Sequence, residues 1–131
     1  MRNTHPQISQ AYLTDLIGLP YRSFDCWEIT KLFYRKIMFL DLDVIAYDDP
    51  SDKQNVSRLI EIEKQKFRQV NSPEFGDIIV FRVNGIASHI GIFVGEGSFL
   101  HTMEKTGCVI DKLAKWEKRI EGFFRHDKIQ T

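Results

Sequence analysis

An excess of charge of either sign is missing from this chain. Its 131 residues carry 18 Lys plus Arg and 18 Asp plus Glu. A formal net charge of zero gives no support for nucleic-acid binding, which usually needs a clear basic excess. Cysteine is scarce. Cys26 and Cys108 are the only two, too few for a disulfide framework, so a reducing compartment is acceptable. Long apolar runs are also missing. The start, Met1-Arg2-Asn3-Thr4-His5-Pro6, lacks the apolar stretch of a signal peptide, and no window reaches transmembrane length. The expectation is cytoplasmic synthesis without membrane insertion, any export needing another route. No internal repeat or low-complexity tract is visible. The composition is globular, with 43% hydrophobic and 12% aromatic residues, enough to build a core. The length predicts one domain over 1–131.

The order of periodicities is helices first, strands second. Residues from about Gln7 to Ile17 read as a helix with Tyr12, Leu13, Leu16 and Ile17 on one side, ended by Gly18-Leu19-Pro20. A second helix is predicted from about Cys26 to Met38, with Ile29, Leu32, Phe33, Tyr34 and Ile37 as its apolar face. Asp25 fits its N-cap, and Glu28 three residues on resembles the reciprocal half of a capping box. After an acidic connection, Asp41 to Asp52, a third helix is predicted over Lys53 to Gln69, anchored by Val56, Leu59, Ile60 and Phe67. Asn71-Ser72-Pro73 breaks it. Beyond Gly76 the pattern alternates, predicting strands at Asp77 to Val83, Ile86 to Val94, Ser98 to Met103, Cys108 to Leu113 and Ile120 to His126. Asn84-Gly85 is a two-residue hairpin signal, and Gly95-Glu96-Gly97 and Lys105-Thr106-Gly107 mark further turns. Helices followed by an antiparallel meander make an α+β domain, with the helix carrying Cys26 packed on the sheet.

Asp25-Cys26-Trp27-Glu28 puts a cysteine on the first turn of a helix. There the unsatisfied N–H groups and the positive end of the macrodipole favour a thiolate. A base is then needed. His5 and His126 lie near the two ends and read as surface residues, whereas His89 and His101 fall on consecutive strands. If Gly95-Glu96-Gly97 is a three-residue turn, Val94 opposes Ser98, Phe93 opposes Phe99 and Gly91 opposes His101. His89 and His101 are then diagonal neighbours on one face, their β-carbons roughly 7–8 Å apart, with Gly91 leaving space beside His101. A two-residue turn would instead put them on opposite faces. In this arrangement Cys26 is the candidate nucleophile and His89 the base that returns its proton to a leaving amine. His101 orients His89. Backbone N–H groups at the helix start are candidate oxyanion donors, joined by the Tyr21 hydroxyl.

Five segments carry a family resemblance: Leu19-Pro20-Tyr21, Asp25-Cys26-Trp27, Gly76-Asp77-Ile78-Ile79-Val80-Phe81, Ser88-His89-Ile90-Gly91-Ile92 and Phe99-Leu100-His101-Thr102. In this order they resemble the NlpC-type cell-wall cysteine peptidases. The closing Trp116 to Arg125 segment is similar to the compact branch found in phage tails. The resemblance implies a papain-like fold and hydrolysis of amide bonds in peptidoglycan stem peptides. It assigns Cys26, His89 and His101 as a catalytic triad. It also implies association with a phage or prophage tail and its proteins. Two departures stand out. Only Arg22-Ser23-Phe24 separates Tyr21 from the Asp-Cys pair, where the family usually has a longer Gly-rich stretch. Trp27 is bulky where the secreted branch carries a small residue.

Blander readings cover the other conspicuous residues. Cys108 follows a turn glycine in an apolar strand and reads as structural. Trp27 and Trp116 read as packing. The Asp41, Asp43, Asp48, Asp49 and Asp52 group lacks the ligand spacing and glycine of a calcium loop and reads as a solvated connection. Cys26, His89 and His101 would also suit zinc, but no fourth ligand has local spacing, so no cofactor or metal is expected. The competing functional reading is a structural tail-assembly component with weak or vestigial hydrolase activity.

Overall fold

A computed structural model describes residues 13–21, 25–42 and 53–128. His5, the start of the first predicted helix, the Arg22-Ser23-Phe24 link and Asp43, Asp48, Asp49 and Asp52 of the acidic connection lie outside the described residues. Of the first helix, residues 13–16 are helical. Leu13 and Leu16 are buried there, but Ile17 is exposed beyond them.

Helix α1 spans Cys26–Phe33, capped as predicted by Asp25, whose carboxylate accepts from the Trp27 and Glu28 amides. It continues through a π-helical turn, Tyr34–Met38, that ends on Phe39 in the left-handed region. The predicted span to Met38 is therefore helical throughout, with a change of winding after Phe33. Helix α2 spans Lys53–Glu63 and stops short of the predicted end. A 3-10 turn, Lys64–Lys66, follows. Phe67–Val70 is then a strand, β1, not the tail of the helix. Its residues pair antiparallel with the last strand, from Phe67 opposite His126 to Val70 opposite Phe123. Partners more than fifty residues away outweigh the local helical period.

The remaining strands are β2 (Ile78–Val83), β3 (Ile86–Gly95), β4 (Ser98–Met103), β5 (Gly107–Lys112) and β6 (Ile120–His126). Together the six form one antiparallel sheet in the order β1-β6-β2-β3-β4-β5. Asn84 and Gly85 take the positive φ angles that the two-residue hairpin requires. Helices α1 and α2 cover one face, where Trp27, Ile29, Phe33, Val56 and Ile60 meet Ile78, Val80, Ile90, Ile92 and Leu100. On the other face Ile79, Phe81 and Phe99 are packed by Leu113 and Trp116 of a 3-10 segment, Leu113–Arg119. The result is an α+β architecture with a large helix-side core and a small aromatic cluster behind the sheet.

The β3–β4 hairpin differs from its prediction in an instructive way. Phe93 stands opposite Phe99 as expected, but Gly95 rather than Val94 faces Ser98, and the register shifts between Phe93 and Gly95. The turn is two residues long, Glu96-Gly97, both at positive φ. A one-residue bulge in β3 restores the register that the shorter turn would have lost. The two deviations cancel, and His89 and His101 stay on one face.

Candidate functional site

Cys26 is the first residue of α1 and is 8% exposed. Asp25 Oδ1 lies 3.1 Å from both the Trp27 and the Glu28 amides, and the Ile29 amide bonds the Asp25 carbonyl at 2.9 Å. Three of the first-turn amides expected to be oxyanion donors are thus engaged in building the helix. Glu28 pairs with Lys31 at 3.7 Å.

Tyr21 is brought to the site by a clip on strand β5. The Gly18 amide donates to the Cys108 carbonyl at 2.8 Å, and the Cys108 amide to the Leu19 carbonyl at 2.9 Å. This pairing requires a glycine at 107. Its φ is +71°, and a β-carbon there would sit 2.5 Å from the Leu19 carbonyl oxygen. Cys108 itself is fully buried, and burial pushes its thiol up to about 12. Burial thus disfavours a thiolate there, in keeping with a structural residue.

His89 Nε2 and His101 Nδ1 are 2.9 Å apart, the contact that the predicted facing demands. The space beside His101 expected at Gly91 is filled. A β-carbon on Gly91 would come 2.7 Å from the Phe99 ring, and that ring packs on His101 with centroids 4.4 Å apart. His101 is wholly buried. Burial lowers its pKa from the ordinary 6.5, partly opposed by Asp111. The Nε2 of His101 faces Asp111 Oδ2 at 3.5 Å, beyond the usual length of a hydrogen bond, and among the described residues this buried nitrogen has no closer partner. His126 is not a plain surface residue either: its ring meets Phe67 edge-on at 5.0 Å, and burial lowers its pKa.

These side chains meet at a cleft of about 270 Å³ whose walls include Tyr21, Cys26, His89 and Trp116. Cys26 enters from the helix side and His89 from the aromatic cluster behind the sheet, with His101 buried beneath His89. Trp116, read from the sequence as packing, is a wall of the site. Its ring lies nearly parallel to His89 with centroids 5.7 Å apart, and its indole N–H donates to Asp111 Oδ2 at 3.2 Å. Among the described residues, Ser88 Oγ and Thr102 Oγ1 are buried without hydrogen-bond partners, and both residues line the same cleft. No sequence motif marks Asp111, and the closing segment that begins at Trp116 gives no sign that its indole walls the site. An aromatic residue in a short 3-10 segment after the last turn was the one available hint.

The family is decided at this point by the sequence as a whole. The NlpC/P60 family pattern matches residues 14–125. This chain belongs to that family. Among curated relatives of this NlpC/P60 chain is the Escherichia coli K12 murein DD-endopeptidase MepS/murein LD-carboxypeptidase. It is 24% identical over 104 residues, which are 78% of this chain and 49% of that protein. The chain spans about half the length of the curated relatives it matches. The solved NlpC/P60 domain of peptidoglycan hydrolase SagA shares the fold with a TM-score of 0.58 at 17% identity, over 92% of this chain and 97% of that one. An NLP/P60 protein of Staphylococcus aureus Mu50, similar to lipoprotein, gives 0.67 at 18% identity, over 100% of this chain and 43% of that one. The α+β fold of this chain is the papain-like fold of that family. Among the described residues, no helix is long and apolar enough to cross a membrane.

Proposed function

We propose that this chain is a thiol hydrolase that cleaves amide bonds in peptidoglycan stem peptides through Cys26, His89 and His101. The observation that carries the reading is the cleft that holds Cys26 and His89 on its walls, with His101 Nδ1 2.9 Å behind His89 Nε2. The helix start favours the Cys26 thiolate, and His89 holds the proton as an imidazolium. The Sγ of Cys26 attacks the amide carbonyl carbon. His89 then passes its proton to the departing amine, leaving a thioester. Water adds to the thioester with His89 taking its proton, and the acid leaves as the thiolate returns. His101 keeps the His89 ring turned towards the cysteine by accepting from Nε2–H. With the Trp27, Glu28 and Ile29 amides engaged in the helix cap, the Cys26 amide and the Tyr21 hydroxyl are the proposed oxyanion donors.

Peptidoglycan as the substrate is supported by family membership and by the activities named for MepS and SagA. Delivery by a phage or prophage tail is supported by the resemblance of the Trp116 to Arg125 segment to that branch. Incubation with purified peptidoglycan should release new amino termini, identified by mass, and Cys26→Ala should reduce release to background. Absence of release from several peptidoglycan types would favour the tail-assembly reading instead.

A further inference from the structure

Within the proposed mechanism, one group on His101 has no assigned role. His101 Nδ1 faces His89 Nε2. When His89 is an imidazolium its Nε2 must donate, so His101 Nδ1 must accept, and the one ring proton of neutral His101 then sits on Nε2. That nitrogen is sealed from water and points at Asp111 Oδ2, 3.5 Å away. Asp111 is held where it stands. Its Oδ1 accepts the Lys112 amide at 2.9 Å and lies 3.5 Å from Lys115 Nζ, while Oδ2 accepts the Trp116 indole N–H at 3.2 Å. Partial burial works against its charge, but these three donors together bring its pKa below the ordinary carboxylate value. It is a fixed anion at neutral pH.

We infer that Asp111 is a positioning residue that fixes the Nε2–H tautomer of His101 and extends the triad to Cys26, His89, His101 and Asp111. The inference rests on the hydrolase reading of Cys26 and His89. Long contacts of this kind in an unliganded site tighten when charge develops during the reaction. As His89 becomes an imidazolium, His101 is polarised, and the Nε2–H to carboxylate contact strengthens. Asp111 does not line the cleft, so it acts through His101 rather than on substrate. Trp116 couples the parts, since its indole N–H holds Asp111 while its ring covers His89.

Asp111→Asn keeps the size and an acceptor for Trp116 but removes the charge. The expected result is a kcat for peptidoglycan hydrolysis lowered about tenfold, the usual scale for an outer partner of a working histidine, with KM unchanged. Other charged or titratable groups lining the cleft are Cys26 on α1, Tyr21, Glu104 in the β4–β5 turn and Arg119 on the 3-10 segment, and Lys115 pairs with Asp111 itself. All are retained in the variant. Removing only the Asp111 charge destabilises the His89 imidazolium, whose proton the departing amine needs, so the alkaline limb of the pH profile of peptidoglycan hydrolysis moves to lower pH. In the wild type, ¹⁵N spectra of the histidine rings should show His101 protonated on Nε2, and Asp111→Asn should shift it towards a mixture of tautomers. An unchanged tautomer and alkaline limb in Asp111→Asn, beside an activated wild-type Cys26, would overturn this inference alone. A wild-type Cys26 with no activated alkylation would overturn the hydrolase reading first. Asp111→Ala gives a second variant with the same expected directions.

Discussion

Two buried polar networks sit in one sheet, and they differ in how fully their hydrogen-bonding capacity is used. Where β2 begins, Asp77 takes Arg125 in a two-pronged pair at 2.9 and 2.7 Å, and its Oδ2 also accepts the Glu74 amide at 2.7 Å. The adjacent Tyr34 hydroxyl bonds the Gly76 carbonyl at 2.5 Å, and burial raises its pKa far above the ordinary value. Around the histidines, His89 Nε2 and His101 Nδ1 meet at 2.9 Å. Among the described residues, Ser88 Oγ and Thr102 Oγ1 are buried without hydrogen-bond partners, and His101 Nε2 has only the 3.5 Å approach of Asp111 Oδ2. Buried polar atoms are nearly always paired in native proteins. The first network is closed and holds β2, β6 and the end of α1 together. The second keeps open capacity beside a cleft, where the proposed mechanism places the substrate and the migrating proton.

The sharpest way to break the comparison is to damage one member of each network. His89→Ala should lower hydrolysis by about 10³-fold or more while leaving the urea midpoint nearly unchanged. Arg125→Leu should do the reverse. It strands Asp77 in the interior and should destabilise the fold by about 3–5 kcal/mol, while chemistry in whatever fraction remains folded is retained. If His89→Ala unfolds the chain and Arg125→Leu does not, the roles assigned to the networks are exchanged.

A smaller effect separates them by pH. The folded state holds His101 neutral below its ordinary pKa because it is buried. Above about pH 6.5 both folded and unfolded chains are neutral at this position, so it costs nothing. As pH falls through that range the unfolded chain binds a proton that the folded chain refuses, and stability declines. His126 contributes in the same direction. His101→Asn should flatten the decline of unfolding free energy between pH 7 and 5, by at most about 1.4 kcal/mol per pH unit. A slope equal to that of the wild type would remove His101 from the account of acid sensitivity.

Much of this arrangement was legible in the sequence because it is written in local patterns. The alternation after Gly76, the Asn84-Gly85 turn and the Asp25 cap each encode their own geometry within a few residues. The facing of His89 and His101 was legible too, although for a reason only half right: a shorter turn and a bulge reach the same register together. What was hidden depends on distant partners. Phe67 fits the helical period of the preceding residues, and only pairing with β6 makes it a strand. Asp111 carries no motif, and the closing segment that starts at Trp116 does not reveal that its ring reaches the site. Both residues become part of the site because the 3-10 segment folds back over the aromatic face of the sheet, a tertiary event without a local signal. Gly91 read as space, but its missing side chain makes room for the Phe99 ring that packs against His101.

The central claim is that the open histidine network activates Cys26, and the pH dependence of its alkylation tests this directly. An ordinary thiol with a pKa of about 8.5 loses roughly tenfold in reactivity for each pH unit below that value. Mass-resolved labelling of the folded protein with iodoacetamide should modify Cys26 at pH 6 nearly as fast as at pH 8, and leave Cys108 untouched. The same series with His89→Ala should restore the steep decline. A wild-type Cys26 whose labelling falls tenfold per unit below pH 8, as in an ordinary thiol, would contradict the account.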